Sequence, residues 1–513
     1  MGGPFLALVK RRPHRESWEM NNFRRVLSAV LLGSFATYLV GATPANPYLR
    51  MLKLEQRRSL GAGELAAYLQ SSDEDIAARA ALAIGRTRKK AGAELLRVHA
   101  TTDPRAAVRA LSIYGLGLIG LPRDGALFVS SVGDVNGAVQ VAAIDAIDRL
   151  QTAQHLGNEL QSAETTLSNE LRNAKDPILR AHAAEALEAF SVTARVTQTA
   201  RRALRSAVQN DADSRVRRTA MWSLFRGFAK TASHRFFRLA TADRDEVVRI
   251  EAVRALGSRG DARDAKLLVQ IMHKDPSWRV QEQAGESLRL VTHQAMTDHW
   301  KSIPRTVHLP KRMPDALDAL PALARTPALG KLTAPIPDDA LLDEPRLDPS
   351  SARRMDGPAP GLHPRMRIVT TEGNVYVMLM PEWAPLTVAN FMNLANRGYY
   401  DKNPWFRVVP DFVVQTGDPK GNGDGDAGFF IPAEENPIMQ YSGVLSMGLN
   451  YTKNAPDRDS AGTQYYITLS PQLHLDRDFT VFGRVVGGSD VLAHITEHDS
   501  VIRVERIADI FVQ

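Results

Sequence analysis

The 513-residue chain contains no cysteine. Disulfide bonds, a thiolate nucleophile, zinc fingers and iron–sulfur clusters are therefore excluded. Apolar residues make up 44% of the chain and charged residues 24%, which excludes a disordered, a collagen-like and a polytopic membrane protein. A chain of this length is too long for a single hydrophobic core, and we expect about three domains.

The chain also lacks the concentrated basic surface that nucleic-acid binding requires, although its formal net charge is +7. Its first 25 residues hold six Lys or Arg against two Glu, a net charge of +4, so the remaining 488 residues carry only +3. We therefore expect no nucleic-acid partner.

An uncharged apolar segment lies near the N-terminus. Residues 26–42 follow two arginines, carry no charge and end in small residues, which is the pattern of a secretory signal peptide. Two prolines just beyond it make the segment short for a membrane span, so cleavage is favoured over an uncleaved anchor. Residues 1–45 are thus predicted to be a signal peptide or membrane anchor, with Met20 as an alternative start. The protein is expected to be periplasmic or secreted, and membrane-bound only if this segment is retained.

Residues 46–300 contain seven copies of one helical pattern. In each copy an Asp-rich turn precedes an anchor position, with Ala or Ser three residues later and Leu or Ile seven residues later. These offsets lie on one helix face, so the pattern predicts stacked helices with an aspartate at each N-terminus. Glycines at 85, 117 and 257 are predicted to end helices. The anchors are Ala77, Arg109, Gln140, Arg180, Arg217, Arg249 and Gln281.

This array resembles HEAT-repeat proteins, specifically the short bacterial kind. The resemblance implies an α-solenoid whose long concave face binds clients or a protein partner; a spacer without a partner is the alternative. His155, His182 and His234 are scattered through the array and are predicted to be surface or packed residues rather than metal ligands.

A proline-rich segment follows the array. Twelve of the 29 prolines lie between residues 304 and 364. Because proline fixes φ and lacks a backbone donor, residues 301–364 are predicted to be a semi-extended linker.

Residues 365–513 differ in composition, because they hold 17 of the chain's 34 aromatic residues. A hairpin is predicted with its turn at residues 372–373, and a helix from Pro385 to Gly398. Short β-type runs separated by glycine-rich loops predict a mainly-β, closed antiparallel barrel. The runs are residues 405–409, 412–415, 444–447, 464–469 and 479–486.

Five segments of this region resemble the motifs of cyclophilin-type peptidyl-prolyl isomerases, in the family's order and spacing. They are APLTVANFMNLANRGYYD at 384–401, WFRVVPDFVVQTGDPKGNGDG at 405–425, GVLSMG at 443–448, GTQYYITL at 462–469 and LHLDRDFTVFGRVVGG at 473–488. The resemblance implies an enzyme that accelerates rotation about X–Pro bonds in polypeptide clients and needs no cofactor and no metal.

The resemblance also implies the site residues. Arg407 matches the cationic donor to the imide nitrogen, and Gln415 matches the glutamine that orients it. The nitrogen regains its lone pair only when the peptide twists, so such a donor stabilises the transition state specifically. The implied substrate-binding residues are Phe412, Val413, Gly448, Leu449, Gln464, Tyr466, His474, Leu475 and Phe479.

Five positions depart from the family pattern. Val413 replaces a methionine and Tyr466 a phenylalanine. Phe406 and Phe479 stand where the family has histidine, and His474 stands where it has tryptophan, which predicts weak cyclosporin inhibition. These departures leave open an alternative function, a scaffold that binds proline-containing segments without turnover. A third possibility is that the array works alone as an adaptor.

One segment resembles the start of a calcium-binding EF-hand loop. It runs from Asn422 to Asp426, but Ala427 and Ala433 occupy the positions that require glycine and glutamate. We therefore predict a glycine-rich turn rather than a calcium site.

Overall fold

The computed structural model describes residues 47–192, 197–228, 234–292, 363–409, 412–452, 455–470, 472, 475–476 and 478–507. The predicted N-terminal segment and nearly all of the predicted linker lie outside these residues. Among the helices of the described residues, none combines the length and the apolarity that crossing a bilayer requires.

Residues 47–292 form two rows of helices, joined in five places by short 3₁₀ segments. All seven anchors lie in one row, here called the anchor row, and α1 (Pro47–Gln56) precedes both rows. The anchor row is α3 (Glu74–Thr87), α5 (Ala106–Ile119), α7 (Gly137–Thr152), α9 (Pro177–Ala186), α11 (Ser214–Phe228), α13 (Glu246–Arg259) and α15 (Trp278–Thr292). The second row is α2 (Glu64–Leu69), α4 (Lys90–Thr102), α6 (Gly125–Ser131), α8 (Leu160–Asn173), α10 (Thr197–Asn210), α12 (His234–Ala240) and α14 (Ala265–Lys274).

Arginines at the anchor positions tie each repeat to the next. Arg249 donates from Nε and Nη2 to Asp275, both at 2.8 Å, and from Nη1 to the carbonyl oxygen of Asp243 at 3.0 Å. The same linkage joins Arg109 to Asp134, Arg180 to Asp211 and Arg217 to Asp243. Two of the predicted capping aspartates, Asp73 and Asp176, do accept bonds from the first amides of their helices.

The glycines predicted to end helices lie two residues inside them, and that prediction is wrong. A Cβ on Gly85 would lie 2.3 Å from the Cα of Gly115, and a Cβ on Gly257 would lie 2.6 Å from the Cβ of Ser287. The glycines therefore permit close packing of successive anchor-row helices rather than chain reversal.

The C-terminal residues form an eight-stranded antiparallel sheet in the order β10–β1–β2–β9–β5–β8–β4–β3. Its strands are β1 (Arg365–Thr370), β2 (Gly373–Leu379), β3 (Arg407–Val409), β4 (Val413–Thr416), β5 (Val444–Met447), β8 (Tyr465–Thr468), β9 (Val481–Gly487) and β10 (Val501–Ile507). A separate two-stranded hairpin consists of β6 (Tyr451–Thr452) and β7 (Ala455–Pro456), and two helices, α16 (Pro385–Asn396) and α17 (Ser489–His494), complete this part.

The sheet curls until its two edges meet just before β3 and β10. Pro404 bridges Ser500, the Trp405 amide donates to the Asp499 carbonyl at 3.0 Å, and the Val501 amide donates to the Asn403 carbonyl at 2.8 Å. The predicted barrel is therefore closed by an isolated bridge rather than by a full strand ladder. This pairing also explains why β3 begins at residue 407 and not at the predicted 405.

The helical array packs directly against the barrel. One hydrophobic cluster contains the core of the array together with seven buried side chains of the C-terminal part, namely Met380, Trp383, Ile438, Met439, Tyr441, Val444 and Val481. Tyr441 lines a cavity of about 20 Å³ with Arg215 and Trp222 of α11 and Val247 of α13. The barrel and the array thus share a core.

Candidate active site

The antiparallel pair β3–β4 brings the two predicted catalytic residues together. Arg407 lies opposite Gln415 in the register, and its Nη1 donates to Gln415 Oε1 at 3.2 Å. Gln415 Nε2 donates to Gln464 Oε1 at 3.2 Å, and Gln464 Nε2 donates to the carbonyl oxygen of Gly423 at 2.8 Å. This relay fixes which end of each amide faces its neighbour, so Gln415 presents an oxygen to the arginine.

Arg407 is a half-buried cation on an aromatic face. Its guanidinium carbon lies 5.2 Å from the centroid of the Phe412 ring, within the range of a cation–π contact. Burial lowers the pKa of Arg407, although a guanidinium stays charged at any physiological pH. Of the residues that the structure describes, none offers Arg407 a carboxylate within ion-pairing distance, so its charge is not neutralised within the site.

An apolar cluster, here called the pocket, adjoins the guanidinium. Val413, Tyr466, Leu475 and Phe479 form one buried cluster, and Phe412 and Leu449 pack against it half-buried. The Tyr466 and Phe479 rings meet edge to face, with centroids 5.8 Å apart. Six of the predicted substrate-binding residues therefore line one pocket.

Gly448 and Gln464 lie at the edge of the same site. The Gly448 amide donates to the Gln464 carbonyl at 2.8 Å, and a Cβ on Gly448 would lie 3.3 Å from Gln415 Nε2. Of the predicted site residues, only His474 lies outside the described residues, so the cyclosporin prediction stays a prediction. All the others come together here.

The part of the chain that contains this site matches a known family model. Residues 365–510 match the model for the cyclophilin type peptidyl-prolyl cis-trans isomerase, and residues 227–289 match a HEAT-repeat model. Peptidyl-prolyl cis-trans isomerase B of Bacillus subtilis is 41% identical over 131 residues, which cover 25% of this chain and 87% of the relative. The chain belongs to the cyclophilin-type peptidyl-prolyl cis-trans isomerases. HEAT repeats precede its cyclophilin domain.

A second relative of this cyclophilin agrees with that assignment. Peptidyl-prolyl cis-trans isomerase-like 1 of Aspergillus niger is 40% identical over 128 residues, covering 24% of this chain and 75% of the relative. A crystal structure of a Cryptosporidium parvum cyclophilin is 24% identical, with a TM-score of 0.27, and covers 29% of this chain and 99% of that one.

Sequence reasoning missed one aromatic residue of the cyclophilin site. Tyr451, in the β6–β7 hairpin, is 61% exposed, and its ring centroid lies 6.4 Å from that of Phe479. Partial desolvation of the side chain and the nearby Asp478 carboxylate raise the pKa of Tyr451. Tyr451 lies outside the matched motifs and only the hairpin fold brings it to the pocket, so the sequence held no signal for it.

Three histidines of the array differ in their surroundings in this cyclophilin. His155 is exposed, and Nδ1 of the buried His182 lies 3.0 Å from Asp145. His234 lies near Asp261 and Asp264, but Arg263 and Arg238 pair with these two carboxylates, each at 2.6 Å. In the segment that resembles an EF-hand, the Asp418 carboxylate accepts the amides of Lys420, Asn422 and Gly423 and so organises the turn itself.

Proposed function

We propose that Arg407 is the catalytic residue of this isomerase and that Gln415 positions it. The rotation barrier of a peptide bond, about 18–20 kcal/mol, comes from delocalisation of the nitrogen lone pair. A guanidinium that donates to that nitrogen stabilises the twisted state, in which the lone pair is localised. The observation that carries this proposal is the un-neutralised Arg407, held by Gln415 beside an apolar cluster that can receive a proline ring.

Substitution of Arg407 in the full chain tests this proposal. We expect Arg407→Ala to lower kcat/KM on a proline-containing peptide by about 10²- to 10³-fold. Arg407→Lys should recover little, because lysine lacks the planar fork. Arg503→Ala, which removes an exposed arginine of β10, is the control and should keep the rate. Equal rates for Arg407→Ala and the unaltered protein would instead favour the scaffold that binds proline segments without turnover.

We further propose that the enzyme acts on polypeptides folding outside the cytoplasm, in the periplasm or the extracellular space. The charge-free segment at residues 26–42 supports this placement. Cell fractionation with N-terminal sequencing of the purified protein tests it. We expect a new N-terminus close to residue 42, whereas an intact N-terminus on cytoplasmic protein would contradict the placement.

We also propose that the HEAT repeats bind clients or a protein partner through surfaces that the barrel leaves open. The extended architecture of such arrays supports this role. Crosslinking of the full chain to clients, followed by mapping of the crosslinked residues, tests it. Crosslinks confined to the barrel would contradict client binding by the repeats.

A further inference from the structure

An ion-pair chain runs from the array to the wall of the proline pocket. Arg88, the residue that follows α3, donates from Nη2 to Glu435 Oε1 of the barrel at 2.7 Å. Glu435 also contacts Arg458, and Arg458 Nη2 donates to Asp478 at 2.7 Å. Asp478 directly precedes Phe479 of the pocket. Three contacts thus connect a residue of the array to an aromatic residue of the substrate site.

A second connection runs through backbone carbonyls. The side chain of Arg86, in α3, is 5% exposed, and its guanidinium donates to the carbonyl oxygens of Trp383 at 2.7 Å and Glu435 at 3.0 Å. A buried guanidinium bound to carbonyl oxygens fixes the backbone that carries them, because leaving its N–H groups unpaired would be costly. The array therefore holds residues 434–435 of the barrel in place.

The held segment in turn supports the pocket wall. The Glu434 amide donates to Thr480 Oγ1 at 2.8 Å, the Asn436 side chain donates to the Val481 carbonyl at 2.8 Å, and the Gln440 amide donates to the Asp476 carboxylate. These bonds fall on both sides of Phe479. They join residues 434–440, which contact the array, to residues 476–481, which carry the aromatic wall.

The β6–β7 hairpin connects to the same contacts. It carries Tyr451, which faces Phe479, and just beyond β7 it supplies Arg458 and Asp459. Asp459 pairs with Arg58, which follows α1 of the array. Tyr451 therefore belongs to a hairpin that lies beside a direct ion pair with the array, whereas Phe479 is linked to the array through Arg458 and Glu435.

We propose that the HEAT array is a positioning element of the isomerase site, with Arg86 and Arg88 as positioning residues that set the place of Phe479 and Tyr451. This inference rests on the proposed function, because it takes the pocket beside Arg407 as the site of the proline ring. Arg407 and Gln415 lie on β3 and β4, outside these connections. Loosening the array contacts should therefore weaken substrate binding more than turnover.

Arg88→Met in the full chain is the decisive variant, since it removes one array charge and leaves the barrel sequence unchanged. We expect KM for a proline-containing peptide to rise about three- to tenfold with kcat changed less than about twofold. Hydrogen exchange at the Met447 amide, which donates to the Thr480 carbonyl, should become faster. Arg88→Lys keeps the charge and should recover most of the affinity. Arg109→Met removes an anchor-row ion pair within the array and is the matched control; its KM should stay unchanged.

An unchanged KM in Arg88→Met would overturn the inference, and so would an equal rise in Arg109→Met, which would indicate general loosening of the array. If Arg88→Met does not fold, Glu435→Gln breaks the same chain from the barrel side and decides by the same readouts. Arg407→Ala separates the two proposals. An active Arg407→Ala protein refutes the proposed function. If Arg407→Ala is inactive but Arg88→Met leaves KM unchanged, only the role of the array is refuted.

Discussion

The side chain of Arg407 is oriented by the neutral amide of Gln415, and the absence of charge on this partner matters for catalysis. A carboxylate at position 415 would hold the guanidinium equally well but would neutralise it before the peptide twists. The amide oxygen of Gln415 accepts a hydrogen bond but carries no formal charge. The positive charge of Arg407 therefore remains available to the nitrogen lone pair that develops as the peptide twists. The relay through Gln464 keeps the amide in this orientation, because it occupies the Nε2 side of Gln415.

Gln415→Glu should therefore be a poor catalyst despite its near-identical shape. We expect an ion pair with Arg407 to form and kcat/KM to fall at least about tenfold, which corresponds to about 1.4 kcal/mol of lost transition-state stabilisation. An isomerase assay between pH 4 and pH 8 checks this, and activity should stay low across the range, because the ion pair with Arg407 keeps the new carboxyl ionised. A flat pH profile at the wild-type rate would contradict the argument.

At the scale of single elements, the arginine that recurs at the anchor positions forms two kinds of hydrogen bond. Each anchor arginine binds the carbonyl oxygen at the start of its own helix and the aspartate of the next repeat. Gln281 keeps only the first of these bonds, from Nε2 to the Asp275 carbonyl at 2.6 Å. Gln281 therefore preserves the bond at the helix start without an ion pair to an aspartate, whereas Gln140 donates instead to the Val132 carbonyl at 2.9 Å.

Substitutions of Arg249 should separate the two bonds. Arg249→Met leaves the Asp275 carboxylate, whose side chain is 7% exposed, without its cation and should cost about 3 kcal/mol of unfolding free energy. Arg249→Gln should cost less, because it can retain the carbonyl bond in the manner of Gln281. Urea denaturation followed by circular dichroism measures both values. Equal losses in the two variants would show that the bond within the helix contributes nothing.

Asp499 stabilises the closure of the barrel. Its carboxylate accepts the Thr371 hydroxyl at 2.7 Å and both the amide and the hydroxyl of Thr496 at 2.8 and 2.7 Å, while its carbonyl accepts the Trp405 amide. Burial raises the pKa of Asp499, but these hydrogen bonds outweigh it and lower the pKa overall. Its contribution to stability is thus present above the unfolded pKa of about 3.9 and is lost as the pH falls through the folded value.

Asp499→Asn should therefore destabilise the protein in a pH-dependent way. We expect a loss of about 1–2 kcal/mol at pH 7 and a smaller difference from wild type near pH 3, because pH 3 lies below the unfolded pKa of about 3.9 and part of the contribution is already lost there. Denaturant midpoints at the two pH values provide the comparison. Asp424→Asn, at an exposed position of the glycine-rich loop, serves as the control. A deficit of the same size at both pH values would mean that the charge of Asp499 is irrelevant.

Local patterns predicted the elements that repeat or alternate regularly. The seven anchors all fall in helices, and the run at 444–447 coincides with β5. The last strand, β10, was missed because its buried residues Val501, Val504 and Ile507 are spaced by three rather than two. A register shift between Val369 and Thr370 of the paired strand accounts for the spacing between Val501 and Val504. A bulge of this kind depends on the partner strand and leaves no period-two signal in the sequence.

At the scale of the whole molecule, the site could be predicted better than the arrangement of the two parts. Arg407 and Gln415 lie eight residues apart on adjacent strands, so one motif contained both. The contact between Arg86 and Glu435 spans 349 positions, and no periodicity records it. From the sequence, Trp383 is indistinguishable from an ordinary residue of the barrel core, although its side chain packs into the core of the array. The proline-rich linker between the two parts gives no signal for the apolar side chains that they share.

That shared core predicts cooperative unfolding of the array and the barrel. Melting of the array would expose Trp383 and Tyr441, which are 2% and 3% exposed, so the barrel should lose stability at the same temperature. Trp383→Ala should cost about 3–5 kcal/mol and convert one calorimetric endotherm into two, since the cavity lies where the parts meet. Phe391→Ala, in the barrel's own core, is the matched control and should lower the transition temperature without splitting it. Two separate endotherms in the unaltered protein would show that burial of Trp383 does not couple the parts.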